Sequence, residues 1–431
     1  MPASQIHRHQ SQRLVSKDVR NHNLGLVLTE LARNPGVSRS YLANATGLTH
    51  GALTLLIREL EEYGLVRPSD SPEIRSREPG RKKQLLALAD RTYAIASIEL
   101  RNESVKLTCE SISGKRIVER EYAEDFHNRP VDSFAQYVAL RIFELMGMVQ
   151  RLGFRSLPIV GVAVPAPVFD DNDTLLAAID FGWGTVPLGK EIIEHLHALQ
   201  SDMAMPKIIV FNDANTALWA EYRHLCNLEP ANAPSTVLYL KSDIGIGGSA
   251  IVQGHIFNGS RGTATEPGHF QIDPHGRSCA CGRVGCLVTV ADPSLLLERA
   301  HLGDVDRSKG RSHALSTLMA QDREGIPLAH RTLIAADRSI IQVLSNIIVL
   351  LTPDCIVLGG YLCDRVEEIS RLDEPSLRCI GYKGHRGRQA ILPSFYRQDA
   401  VTVGALMRLR SCILWNAGLI ANDLPWSWSE E

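Results

Sequence analysis

Apolar residues recur in this chain with two distinct periods, one near its start and another through the rest. In Leu24–Asp70 they fall at helical spacing in three short blocks. A helix from about Asn23 to Arg33 runs into Asn-Pro-Gly, a turn signal. Ser38 is placed to cap a second helix through about Ala45, which stops at Gly47, and Thr49 to cap a third. In that third helix Leu53, Leu56, Ile57 and Leu60 stand at i, i+3, i+4 and i+7, one buried stripe. Two strand-like runs follow, "LVRPS" and "QLLALA", separated by "EPGRKK".

From Tyr93 the pattern changes to strands. "YAIASIEL", "SVKLTCES" and "RIVEREYA" read as a three-strand meander, followed by an amphipathic helix over "VDSFAQYVALRIFELMGMVQRLG". Then come a strand "PIVGVAVPAPV", a helix around "LGKEIIEHLHALQ", a strand "KIIVF" and a helix opening at "NDANTALWAEYRH". A second strand set begins at "STVLYLKSD" and continues through "GGSAIVQG" and "HIFNG"; helices then dominate, with one more buried strand at "DCIVLGG". A meander followed by alternating helices and strands, occurring twice, predicts two α/β lobes with a cleft between them.

Composition narrows the class. The 431 residues are 44% apolar and 22% charged with a net charge of −2, an ordinary globular composition spread over two or three domains. The N-terminal "MPASQIHRHQSQ" lacks the apolar core of a secretory signal, and "IIVLLTPDCIVLGG" is broken by Pro and Asp and too short to span a bilayer. Nine cysteines without a signal point to a reducing cytoplasm, hence to a cytoplasmic protein that does not enter a membrane. Charge is uneven. Residues 1–91 carry 14 Lys+Arg against 9 Asp+Glu, a net of +5, which suggests a polyanion partner or simply a solvated face.

The basic front gives the three-helix pattern a meaning. Two short helices joined by a tight Gly-containing turn have helix-turn-helix spacing, and the two strands after them form a wing with Arg81, Lys82 and Lys83 at its tip. A plain three-helix module for protein contacts fits the same pattern. On the DNA reading the third helix enters the major groove and the wing meets the backbone or minor groove. Thr49, His50, Gly51, Ala52, Thr54 and Arg58 then face the duplex. That set is poor in side chains that make bidentate base contacts, so phosphate contacts and the wing would carry much of the affinity, with a steep salt dependence.

Three of the nine cysteines crowd into "CACGRVGC" (Cys279–Cys286). His269 with Cys279, Cys281 and Cys286 supplies one imidazole and three thiolates, the donor set of a structural zinc site, one zinc per chain. Gly282 and Gly285 let the short loop fold back so that the sulfurs converge. A disulfide or chance clustering are the alternatives. Farther upstream, Asn212 and Asp213 follow an apolar strand and open a helix, where polar side chains face a ligand crevice in α/β folds or act merely as a cap.

The ordered set "VFNDAN", "DIGIGGS", "GSRGTATEPGH", "CACGRVGC" and "IVLGG" resembles the ROK family of repressors, open reading frames and kinases. With the helix-turn-helix it covers nearly the whole chain. The resemblance implies an α/β chain with an N-terminal winged helix-turn-helix (1–90) and a two-lobed, actin-like or ribonuclease H-like sugar-kinase fold (91–431), its zinc loop at about 266–288. It also implies that Asn212, Asp213, Glu266 and His269 contact a sugar, Asp213 in the position of the kinases' general base. Two departures bear on activity. The kinases' Asp-x-Gly-Gly-Thr phosphate loop is replaced by "ELRNE" (Glu99–Glu103), so no ATP-dependent catalysis is expected. Val288 and Ala166 replace a family carboxylate and glycine, leaving open a deoxygenated, acetylated or phosphorylated sugar, weak binding or none. The expected function is a non-enzymatic transcriptional regulator, most often a repressor of sugar-uptake or sugar-catabolism genes. It would bind a palindromic operator as a homodimer or tetramer, with a sugar or sugar-derivative effector. Two rivals are a regulator whose cleft answers to a protein partner and an active sugar kinase.

Overall fold

The computed structural model describes residues 16–69, 84–169, 171–200, 204–372, 374–377 and 390–422. The described residues up to Leu88 form the head: helices α1 (Ser16–Arg33), α2 (Arg39–Thr46) and α3 (His50–Glu62), with a small antiparallel sheet of β1 (Val37–Ser38), β3 (Leu85–Leu88) and β2 (Val66–Pro68). The caps sit where the side chains allow. The Ser38 hydroxyl accepts from the Tyr41 amide and the Thr49 hydroxyl from Ala52, each satisfying a first-turn N–H with no helical partner. Leu53, Leu56, Ile57 and Leu60 are buried as their spacing predicts. The wing-tip residues Arg81, Lys82 and Lys83 lie outside the described residues.

The body repeats one plan. In the first lobe β4 (Tyr93–Leu100), β5 (Val105–Ser111) and β6 (Arg116–Tyr122) form the expected antiparallel meander. Helix α4 (Val131–Arg151) leads to β7 (Ser156–Val164), α5 (Leu188–Leu199), β8 (Lys207–Asn212) and α6 (Asp213–Leu228). The sheet runs β6-β5-β4-β7-β8, with β7 and β8 parallel to β4.

The second lobe starts with β9 (Val237–Ser242), β10 (Gly247–Val252) and β11 (His255–Ile256). Helices α7 (Val288–Ala291), α8 (Pro293–Arg299), α9 (Gly303–Lys309), α10 (Arg311–Arg323) and α11 (Pro327–Leu351) lead to β12 (Cys355–Gly360), α12 (Val366–Leu372) and β13 (Ala390–Pro393). Its order, β11-β10-β9-β12-β13, matches the first lobe strand for strand. Among the described residues, α11 is the helix long and apolar enough to cross a membrane. Its buried residues, from Leu333 to Ile348, pack in the second lobe's core.

The chain then returns. Helix α13 (Ala400–Trp415) leaves the second lobe and packs against α6, β4 and β7 of the first, and α14 (Ala417–Ala421) follows it. Both helices also meet α1. Head and body therefore share one apolar cluster: Leu24, Val27, Leu28 and Leu31 of α1 join Leu409, Ile413, Leu414 and Ile420, which join Tyr93, Ile159 and Phe211 of the first sheet. Helix α1 begins seven residues earlier than local periodicity indicates because its first turns are held from outside. The His22 ring lies 5.5 Å from that of Trp415, and Arg20 pairs with Glu59 at 2.8 Å.

At Gly25 the helices touch. A Cβ there would sit 2.2 Å from Cε3 of Trp415. Gly25→Val should therefore force the seam apart and cost about 1–3 kcal/mol by overpacking. Urea unfolding of the full chain checks this, and an unchanged midpoint would contradict the tight seam.

Candidate functional site

Where β8 ends and α6 begins, the side chains facing the cleft are fixed by helix-start chemistry. The Asn212 side-chain oxygen accepts from the Asn215 amide at 2.8 Å, and its nitrogen donates to the Ala166 carbonyl at 3.0 Å. Asn212 is thus both the cap and a tie to the Pro-Ala-Pro loop. Asp213 is buried and accepts from its neighbour's amide, Ala214, at 2.7 Å. Its other oxygen lies 2.6 Å from Lys241 Nζ on β9, which also reaches Asp243 at 3.5 Å. Burial alone would push Lys241 down, but the Asp213 and Asp243 carboxylates outweigh it and hold the ammonium above the usual lysine range.

These residues line a cleft of about 490 Å³ between the lobes, together with Asp180, Glu266, His269, Arg277, Val288 and Asp292. Burial first, then Asp213 and Asp180, push the Glu266 carboxyl up to about 8, so near neutral pH it can donate as well as accept. Asp180, although its own surface is open to solvent, is raised in the same direction, by desolvation and then by Asp292 and Asp213. A carboxyl group that both donates and accepts, as at Glu266, beside the Asn212 amide suits a hydroxyl-rich ligand.

The far wall is a short hairpin. Gly285 N donates to Arg277 O and Cys279 N to Arg283 O, each at 2.8 Å, and Gly282 and Gly285 have positive φ as the fold-back requires. This brings His269, Cys279, Cys281 and Cys286 together, with one donor atom of each within 4.8 Å of the others. The Cys281 and Cys286 sulfurs are 3.7 Å apart, too far for a disulfide, and His269 Nδ1 is 3.6 Å from Cys279 Sγ. A tetrahedral metal with ordinary thiolate and imidazole bond lengths requires roughly 3.8 Å and 3.6 Å for these two separations. The four residues can hold a metal ion. His269 belongs to both sets, because it also lines the cleft.

The glycine-rich "DIGIGG" hairpin packs against the segment bearing Glu266 and His269. A Cβ on Gly268 would fall 2.1 Å from the Ile246 carbonyl oxygen, so that contact needs glycine. In the turn after β4, where "ELRNE" stands, the space is taken by an ion pair. Arg101 grips Glu99 through two bonds of 3.0 and 3.1 Å and donates to Gln398 O at 2.8 Å, while Thr402 donates to Glu99 at 2.7 Å.

On the head, Thr49, His50, Gly51, Ala52, Thr54 and Arg58 are all exposed around the start and outer face of α3. Leu55, absent from the sequence reading, shares that face.

Comparison with known proteins follows this geometry. The sequence profile of the ROK family matches residues 107–410, and one described as winged helix-turn-helix DNA-binding matches residues 20–67. The chain belongs to the ROK family. It is 22% identical to the Escherichia coli DNA-binding transcriptional repressor Mlc over 84% of this chain and 86% of Mlc. With a glucokinase of Halalkalibacterium halodurans it shares 28% identity over 47% of its own length and 61% of the kinase. Its fold matches the crystal structure of a ROK transcriptional regulator, a homologue of Mlc, with a TM-score of 0.71 at 19% identity over 94% of this chain and all of that one. A ROK glucokinase from Streptomyces griseus matches with 0.57 at 21% identity, over 73% of this chain and 98% of that one.

Of the residues singled out in the sequence, the structure brings Asn212, Asp213, Glu266, His269 and Cys279 to one cleft, with Cys281 and Cys286 behind it in the Cys3His cluster. Sequence reasoning missed Lys241, Asp180, Asp292 and Arg277. Lys241 had a signal: a lysine inside the apolar run "VLYLKS" has to find a buried anion. Breaking that pair leaves an unpaired buried charge. Lys241→Met should cost about 3–5 kcal/mol, and a second change, Asp213→Asn, should recover much of it. Denaturant unfolding of the wild type, both single variants and the double variant decides, and strictly additive effects would show that the pair is not coupled.

Proposed function

We propose that this ROK protein is a cytoplasmic transcriptional repressor that binds operator DNA through its head, residues 1–90. A sugar or sugar-derivative effector in the cleft of its body, residues 91–431, would control that binding. The observation that carries the reading is the joining of a helix-turn-helix with a bare outer α3 face, through one apolar cluster, to a cleft whose phosphate turn is filled by Arg101 and Glu99. The repressor Mlc, similar along most of both chains, supports it.

Asn212, Asp213, Glu266 and His269 would hold the effector's hydroxyls, while Thr49, His50, Gly51, Ala52, Thr54 and Arg58 meet the duplex. As a homodimer or tetramer, two heads would sit on a palindromic operator. The effector acts only if it binds two arrangements of the heads with different affinity.

The metal is read as zinc, one per chain, because a closed Cys3His set matches a structural zinc site. Bound there, the ion would pin the hairpin and the segment carrying Glu266 and His269. Val288 and Ala166 in the cleft lining keep a second reading in view, a body that answers to a protein partner instead of a sugar. Thermal shift with a sugar library separates the two, since a bound sugar raises the midpoint by mass action and an unresponsive cleft does not.

Selection of duplexes from a random pool, repeated with candidate sugars, tests the function directly. The expected result is a palindromic site, an affinity that falls steeply with salt, and one sugar that changes it. A salt-insensitive or sugar-indifferent interaction would contradict the proposal. Incubation with ATP and a panel of hexoses should give no sugar phosphate, and turnover would restore the kinase reading. Elemental analysis should find about one zinc per chain, and chelation should lower the thermal midpoint; metal-free protein of full stability would remove zinc from the account.

A further inference from the structure

The outer face of α3 carries an apolar group where the proposed function places DNA. Leu55 is 70% exposed, more than the other exposed large apolar side chains among the described residues of the head, Val19 at 44% and Tyr41 at 43%. It lies one helical turn after Gly51 and beside Thr54 and Arg58, opposite the buried stripe of Leu53, Leu56, Ile57 and Leu60. The polar groups around it are engaged within the helix. The Thr54 hydroxyl donates to the His50 carbonyl at 2.8 Å, and Arg58 Nε donates to Glu62 at 3.1 Å. Gly51 and Ala52 have no side-chain polar atom, and a Cβ on Gly51 would meet nothing within 4 Å, so a partner can approach this turn closely.

A recognition helix presents the residues of its first turns to base edges in the major groove. Of the groups exposed there by the four standard bases, the thymine C5 methyl is the apolar one. We propose that Leu55 reads a thymine methyl in each half-site of the operator, so that this part of the specificity comes from apolar contact. The inference rests on the DNA-binding reading above and adds to it one residue and the base group it contacts.

The test uses the full chain and the duplex selected from the random pool. Each thymine is replaced in turn by deoxyuridine, which lacks only the methyl group, and binding is titrated for the wild type and for Leu55→Ala. Burying one methyl corresponds to roughly a three- to five-fold change in affinity. The wild type should lose about that factor at one thymine per half-site. Leu55→Ala should bind the thymine duplex correspondingly more weakly and show no further loss on replacement at that position. Its thermal midpoint should be unchanged, because Leu55 is exposed, and so should its salt slope, because no charge is removed.

The inference is overturned if no position is sensitive, or if both proteins respond alike at every position. It is also overturned if Leu55→Ala binds DNA normally but changes the oligomeric mass, which would make Leu55 a contact between chains. Failure to retain any duplex would sink the DNA-binding reading and this inference with it. A tightly bound duplex without Leu55-dependent methyl sensitivity would sink the inference alone.

Discussion

The seam between α1 and the returning C-terminal helices governs how the rest of the molecule works together. A three-helix head with a short sheet has a small core by itself. Here Leu24, Val27, Leu28 and Leu31 bury their side chains in a cluster completed by Ile413, Leu414 and Ile420, and Trp415 lies against Gly25. The same α13 is packed on β4, β7 and α6 of the first lobe. The head is thus built onto the far end of the helix that crosses back between the lobes, and a shift of that helix relative to the first sheet has a physical route to α1.

The cleft lies at the start of α6, which packs on α13. Several of its charges and turns are held by internal contacts. Lys241 compensates Asp213, Arg101 fills the turn after β4, and the glycine-rich hairpin is packed against the turn that bears His269. The turn after β4 is closed by the Arg101–Glu99 pair, while Asp180, Asp213, Glu266 and Asp292 line a cavity of the size suited to a small ligand. The three cysteines and His269 stand close enough together to hold a metal ion, in a hairpin much of which is exposed.

Much of this was legible in the sequence because the signals are local. Caps at Ser38 and Thr49, the stripe through Leu60, the repeated meander and the Cys3His spacing each follow from side-chain chemistry within a few residues. What could not be read depends on distant partners. The early start of α1 is held by Trp415, nearly four hundred residues away in the chain. β13 is an edge strand of four residues that exists by pairing with β12. Lys241 and Asp213 meet because β9 and the start of α6, from different lobes, converge on one cleft. Arg101 was recognised as a misfit for a phosphate loop, but its grip on Glu99 and the tie to Gln398 needed the return of the C-terminal segment.

Native-state hydrogen exchange of the full chain tests the shared core most directly. The account predicts that the amides of Val27–Leu31 in α1 open with the same free energy as those of Leu409–Leu414 in α13, in one cooperative unit. Exchange of the α1 amides at a clearly lower free energy, with α13 still protected, would show that the head is an independent module and would contradict it.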